Sequence, residues 1–274
     1  MIRGLHRERT RKMLAKKLYW LVDFYVGLKL RNSHIESPIL VLTPGKVASS
    51  TAAATLRQYR AHVYQIHNWS SSSIANSISR SINGPRGYPP LHLLYSKHLK
   101  TILPSSARLE IVCISREPVA REISSVFQNL DDFDGLFAPD WSINGEKVME
   151  LVERRLMTGE FLDEVDKWIY NELQEELGLD LKSVDFSEGY AIVESPRCRA
   201  LFFKSECVDQ SFIKGCKSFW SDFGDIELQP RNIASKKYYN EAYLGIKEQV
   251  DLSSVKDHSR YMESLYVKTF YPPN

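Results

Sequence analysis

An apolar strand that leads through a lysine-bearing turn into three hydroxyl residues constrains the fold of this chain most. The strand is the continuous apolar run Ile39–Leu42, set between Pro38 and Pro44. Such runs are typical of strands covered on both faces. Ser49–Thr51 then precede three alanines, so N-cap candidates meet strong helix formers. The segment therefore predicts the strand–turn–helix unit of an α/β protein.

The turn between this strand and helix suits an anion. It brings the ammonium of Lys46, the hydroxyls of Ser49–Thr51 and the first helical N–H groups together, which favours a phosphate-like or sulfate-like group. It is not a Walker A motif, because no further glycine precedes Gly45 at the required spacing. The alternative is an ordinary helix start, where serine and threonine are preferred in any case.

A second apolar run, Leu109–Ser115, ends in Arg116 and is followed by Pro118, which suits the first turn of a helix. Ser124 lies about two turns into that helix. Because ligands of open α/β sheets bind at the carboxyl ends of the strands, we expect Arg116 to share a crevice with Lys46. Taken alone, Arg116 and the next glutamate also fit a solvated charge pair.

Together the two segments resemble the sulfotransferases that use 3′-phosphoadenosine 5′-phosphosulfate (PAPS). Residues 44–51 are similar to their 5′-phosphosulfate loop. Residues 116–124 resemble their 3′-phosphate motif, R-x-P-x-x-R-x-x-S, with Phe127 close behind. The wording of the second segment points to a subgroup, the sulfotransferase-like bacterial capsular polysaccharide synthesis proteins. The looser likeness of Trp168, Glu172 and Ala200–Glu206 to that subgroup extends the resemblance over residues 37–274.

The resemblance implies a P-loop-like sulfotransferase fold: a central, mostly parallel sheet flanked by helices, with a helical C-terminal lid. It implies transfer of a sulfuryl group from PAPS to a glycan hydroxyl in the cytoplasm, with no metal and no nucleic-acid partner. One departure is Ala48, where the family usually has glycine; a methyl group there bears on activity more than on fold. The residues implied to bind PAPS are Pro44, Gly45, Lys46, Val47, Ala48, Ser49, Ser50, Thr51, Arg116 and Ser124, with Lys46 also catalytic.

The general base is expected to be a histidine, whose ordinary pKa lies near neutrality. His67 ends the predicted strand His62–His67, at the same sheet edge as Lys46, and is the first candidate. His92 is the second candidate for the catalytic set, and His98 is a further alternative. Each of them also fits an ordinary surface or hydrogen-bonded histidine.

The N-terminal residues differ in charge from the rest of the chain. The net charge is only +2, which argues against a nucleic-acid-binding surface over the whole protein, yet residues 1–31 hold nine Lys and Arg against two acids. Within them, Leu18–Leu28 is apolar and aromatic but too short to span a bilayer. We therefore divide the chain into a helical arm, 1–36, and a sulfotransferase-like domain, 37–274. The arm either packs its aromatics on the domain or lies on an anionic membrane, at its inner face.

The remaining patterns concern loops, helices and cysteines. Ser70–Ser73 and Asn83–Pro90 predict loops that bracket a short helix, a candidate flap over the site. Glu146–Met157 and Phe161–Leu177 predict helices. The spacing of the four cysteines predicts neither a metal site nor a disulfide framework, as in a reducing cytoplasm.

Two other functions stay open from the sequence. One is a non-catalytic capsule assembly factor that keeps the nucleotide-binding fold, which the alanine at position 48 suggests. The other is a nucleotide kinase on a related fold, which the missing Walker A spacing argues against.

Overall fold

A five-stranded sheet lies at the centre of the protein. The computed structural model describes residues 18–84, 87–130, 133, 135–137, 142–182, 184–231, 237–250, 255 and 258–272. The strand order is β2-β1-β3-β5-β4; the first four of these neighbours are parallel, and β4 pairs antiparallel with β5 at the edge. The strands are β1 Ile39–Leu42, β2 Val63–Ile66, β3 Leu109–Ser115, β4 Tyr190–Glu194 and β5 Cys198–Lys204.

Helices flank this sheet, which confirms the α/β class and the mostly parallel sheet. The first, α1, spans residues 18–31. The others are α2 Ser49–Leu56, α3 Ser71–Asn83, α4 Leu91–Ile102, α5 Pro118–Gln128, α6 Gly145–Thr158, α7 Glu160–Trp168, α8 Val208–Phe219, α9 Asn240–Gln249, α10 Ser259–Glu263 and α11 Leu265–Phe270; a π-helix, Ile169–Glu175, continues α7.

Strand β1 is buried on both faces, as its unbroken apolar run predicts. Leu40 and Leu42 belong to the core on the side of α4, the π-helix and α11. Ile39 and Val41 belong to the core on the side of α2 and α8. Successive side chains of a strand point to opposite faces, so a strand between two helical layers needs apolar residues throughout.

The serine run at 70–73 was expected to be a loop, and this prediction is wrong. Ser70 is the N-cap of α3, and its hydroxyl accepts a hydrogen bond from the Ser73 N–H at 3.2 Å. The next three serines form the first turn of a helix of 13 residues, longer than the short piece expected. Serine competes for backbone hydrogen bonds in turns and caps helices equally well, so the run alone does not separate the two. Of the following loop, residues 85–86 lie outside the described residues.

Helix α1 rests on the domain through Val26 and Leu30, which are 4% and 3% exposed. Its aromatic residues Trp20, Phe24 and Tyr25 are 60–67% exposed. The expectation that the arm packs its aromatics on the sheet domain is therefore wrong: the inner face of α1 uses smaller side chains. No helix within the described ranges is both long and apolar enough to cross a membrane.

Candidate anion-binding site

The candidate site lies where the connections of the sheet change direction. Strand β1 leads through α2 to β2 on one side of the sheet, whereas β3 leads through α5 towards β5 on the other side. The carboxyl ends of β1 and β3 are adjacent and parallel, so they flank the crevice in which α/β sheets bind ligands. Arg116 Nη1 donates to the Lys46 carbonyl oxygen at 3.1 Å. The convergence expected of these two residues is confirmed.

The backbone of the β1–α2 turn is wound in the left-handed region. Gly45 has φ +81° and Lys46 has φ +61°. The glycine adopts this conformation without strain, whereas a lysine there is unusual and such residues cluster at ligand sites. Ala48 is the N-cap of α2 with φ −46°, so the turn has no conformational need for glycine at that position. Val47 is buried in the core below the turn.

The first turn of α2 has no side-chain cap. Ser49 Oγ instead accepts from Gln65 Nε2 at 3.0 Å, and Ser50 Oγ donates to Gln65 Oε1 at 3.4 Å. The hydroxyl of Thr51 bonds the backbone of Arg231, accepting from its N–H at 3.0 Å and donating to its carbonyl at 3.3 Å. The three hydroxyls thus hold neighbouring segments in place, and an anion at this end of α2 would meet the helix dipole and backbone N–H groups first.

One face of α5 borders the turn. Gln128 accepts from Lys46 Nζ at 2.8 Å, and Arg121 Nη2 donates to the Pro44 carbonyl at 3.2 Å. Residues three, four and seven apart share a helix face, so Ser124 lies on the same face, between these two contacts. The sequence motif indicated Ser124; it did not indicate that Gln128 would position the lysine.

Arg121 is a buried cation at this face. Its side chain is 8% exposed, and its Nε and Nη1 atoms have no hydrogen-bond partner among the described residues. None of the ion pairs in the described part of the chain joins Arg121 or Arg116 to a carboxylate. A buried guanidinium without partners is costly, and such orphaned donors in a native structure usually mark a missing ligand or water. We read the two unpaired nitrogens as donors for an anion.

Arg116 is held in place by two tyrosines. The hydroxyl of Tyr266 accepts from the Arg116 N–H at 2.9 Å and donates to its carbonyl at 3.1 Å, and Nη2 donates to the Tyr243 hydroxyl at 2.9 Å. A guanidinium has five N–H donors, so these contacts leave donors for a ligand. Glu117 is the N-cap of α5 and accepts from the N–H groups of Val119 and Ala120. The two neighbours thus have separate structural roles and do not form a solvated charge pair.

His67 lies at the carboxyl end of β2, beside Gly45. Its Nδ1 lies 2.9 Å from the Thr43 carbonyl oxygen, to which it donates as a neutral ring. Burial lowers the pKa of His67, the nearby charges of Lys46 and Arg121 lower it further, and the hydrogen bond to Thr43 opposes them. The ring is therefore neutral near pH 7, and the tautomer inferred from this hydrogen bond leaves the lone pair on Nε2.

The two other histidines lie in different surroundings. The His92 ring packs edge-on against that of His67, with ring centroids 4.5 Å apart, so His92 belongs to the site. His98 Nε2 lies 2.8 Å from a carboxylate oxygen of Asp23 and secures α1. This contact places His98 in the structural support of the arm.

The C-terminal half fixes the loop that carries His67. Trp168 Nε1 donates to the His67 carbonyl at 2.7 Å. The buried carboxylate of Glu172, in the π-helix, accepts from the backbone N–H groups of Trp69 and Ser70 at 2.5 and 2.6 Å. These contacts join segments about a hundred positions apart, and no local sequence pattern predicts them.

Comparison with known proteins points to this same supporting half. Residues 140–272 match the model of the NKWYS family, described as "Putative capsular polysaccharide synthesis protein". The match contains Trp168, Glu172, Tyr243 and Tyr266, whereas the turn after β1 and helix α5 precede it. No curated protein matches the chain, and no solved structure does. Over its C-terminal half, the chain is therefore similar to this capsular polysaccharide family.

Proposed function

We propose that this protein transfers a sulfuryl group from PAPS to a hydroxyl of a capsular or surface polysaccharide. The observation that carries the proposal is the convergence of Lys46, Arg116 and Arg121 on the turn after β1, at the switch point of the sheet. Three cations and an uncapped helix start form a site for polyvalent anions.

The arrangement supports a nucleotide with two separate phosphate groups. The start of α2 and Lys46 would bind the 5′-phosphosulfate, and Arg116 with Ser124 would bind the 3′-phosphate. Arg121 lies between them, because it contacts Pro44 on one side and shares a helix face with Ser124 on the other. The donors left open on the two arginines suit phosphate, which guanidinium groups bind through paired hydrogen bonds.

The proposed chemistry needs positioning and charge stabilisation. Sulfuryl transfer resembles phosphoryl transfer, in which the transition state is loose and the protein contributes little covalent work. Lys46, oriented by Gln128, stabilises the charge that grows on the leaving phosphate. His67 holds its lone pair on Nε2 and takes the proton of the acceptor hydroxyl, with the ring oriented by Thr43 and His92.

The polysaccharide acceptor is proposed from the description of the matching family. The test incubates the protein with sulfur-labelled PAPS and capsular polysaccharide, and measures label retained on the polymer. Label on the polymer, lost in the Lys46 variant discussed below, supports the proposal. Nucleotide binding without transfer to any glycan would instead favour a non-catalytic assembly factor on the same fold.

The pH profile of transfer tests the role of His67. A base whose pKa is lowered stays unprotonated to lower pH, so the acidic limb of kcat/KM should lie below the ordinary histidine value of about 6.5. Activity falls as pH drops through the lowered pKa and is full above it. The His67→Gln variant should lose most of the rate and this limb. A limb at or above the ordinary value, or one that persists in the variant, would assign the base elsewhere.

The Arg121→Met variant separates an anion-binding role from a structural one. Loss of a charged hydrogen-bond donor should weaken binding of adenosine 3′,5′-bisphosphate by about 10- to 100-fold. The free protein should unfold at an unchanged or higher temperature, because an apolar side chain of similar volume removes the cost of a buried, poorly paired charge. The exposed Arg154→Met is the matched control. Unchanged affinity, or a large loss of stability, would show that Arg121 only supports the fold.

A further inference from the structure

The outward face of α1 is an apolar surface that nothing in the described structure covers. Its side chains are 48–67% exposed, and Trp20 and Phe24 stack with ring centroids 6.1 Å apart. Monomeric soluble proteins rarely expose contiguous apolar patches of this kind without an interaction to serve. We call this surface the α1 strip; it consists of Leu18, Trp20, Leu21, Phe24, Tyr25 and Leu28.

The domain holds α1 with the strip turned outward. Asp23, on the opposite face, accepts hydrogen bonds from Lys97 Nζ at 2.6 Å and His98 Nε2 at 2.8 Å. Burial opposes ionisation of Asp23, but these two partners outweigh it, so its pKa is lowered and the carboxylate stays charged. A Cβ at Gly27 would lie only 2.7 Å from the His98 ring, so the helix lies close against α4. The strip therefore has a fixed orientation.

The charges around the strip identify what it contacts. Between residues 18 and 28 the only charged side chain is Asp23, which faces inward. Lys29 and Arg31 are exposed at the end of the helix, and the sequence of residues 1–17 contains seven basic residues against one acid. An apolar strip flanked by cations suits an anionic lipid surface, whereas a second copy of this chain would bring like charges together.

We propose that α1 docks this protein on an anionic membrane, lying in the plane of the interface. The strip covers about 16 Å of helix, roughly half of a bilayer's hydrocarbon thickness, so it reaches into the lipid surface and does not cross it. Trp20 and Tyr25 have the amphipathic rings that favour the headgroup region. This proposal is independent of the transfer activity, since α1 contributes no group to the site at β1 and β3.

Co-sedimentation with vesicles tests the proposal. The full chain should bind vesicles of phosphatidylcholine that contain phosphatidylglycerol, bind phosphatidylcholine alone much more weakly, and lose affinity as salt rises. The double variant Trp20→Ser, Phe24→Ser should bind the anionic vesicles at least about tenfold less, because two exposed aromatic side chains no longer enter the lipid. Met157→Ser, 77% exposed on α6, is the matched control and should bind like the wild type.

The outcomes separate the possible occupants of the strip. Retained binding of adenosine 3′,5′-bisphosphate by the double variant shows that the fold is intact and that a loss of vesicle binding is local. Absence of binding to anionic vesicles by the wild type overturns the proposal. So does a wild-type dimer in solution that the double variant converts to a monomer, because the strip would then contact a second copy.

Discussion

Replacing Lys46 by methionine is expected to lower the rate of sulfuryl transfer by about 10²- to 10³-fold, the usual effect of losing one preorganised donor to a developing charge. The loss should appear in kcat, because the ammonium acts on charge that grows in the transition state. Binding of adenosine 3′,5′-bisphosphate should fall much less, since Arg116, Arg121 and the start of α2 remain. The measurement is steady-state transfer from PAPS beside calorimetry with the bisphosphate.

The fold should survive this substitution. Lysine and methionine pay the same conformational cost at φ +61°, and the lost side-chain contact is the hydrogen bond to Gln128. The exposed Lys182→Met is the control for the loss of one positive charge at the surface. Equal falls in bisphosphate affinity and in rate would show that Lys46 binds the ground state uniformly and has no special part in the transition state.

Replacing Glu172 by alanine is expected to destabilise the protein by about 2–4 kcal/mol, because two buried N–H groups, those of Trp69 and Ser70, lose their acceptor. The same change frees the loop after β2, so transfer should fall further than the remaining folded fraction explains. Chemical denaturation measures the first effect, and kcat under conditions where the protein is fully folded measures the second.

Two neighbouring variants sharpen this test. Glu172→Gln keeps one acceptor oxygen and should lose less stability than the alanine variant. Glu175→Ala removes an exposed carboxylate from the same π-helix and should change neither quantity. If Glu172→Ala lowered stability but left kcat unchanged, the carboxylate would support α3 alone and would have no part in positioning His67.

The sequence predicts best what depends on local pattern. The run Ile39–Leu42 predicts a strand covered on both faces because an unbroken apolar segment has no face to offer to water. The meeting of Lys46 with Arg116 is predictable because parallel strands bring their carboxyl ends to one edge. The structure confirms both, with the strand fully buried and the two residues in hydrogen-bond contact.

What the sequence does not predict depends on contacts between distant segments. The burial of Arg121, the partner of the lysine at Gln128 and the tyrosines around Arg116 all follow from how α5, α9 and α11 pack. The exposure of Trp20 and Phe24 is likewise a tertiary property, since an aromatic helix of the same composition packs inward in other folds.

The division of labour between the two halves gives the family match a structural meaning. The loops after β1 and β3 supply the cations, while the matching region supplies the residues that hold them: Tyr243 and Tyr266 fix Arg116, and Trp168 and Glu172 fix the loop of His67. Changes in the matching half should therefore alter the site without touching a ligand.

Calorimetric titration of the wild-type protein with adenosine 3′,5′-bisphosphate, beside adenosine 5′-monophosphate, tests the central claim most directly. Two separate phosphate contacts predict saturable binding of one bisphosphate per chain, at least about tenfold tighter than the monophosphate, since a charged hydrogen bond contributes about 1.5–3 kcal/mol. Absence of binding by folded protein at millimolar bisphosphate, or equal affinity for the two nucleotides, would contradict a two-phosphate site at β1 and β3.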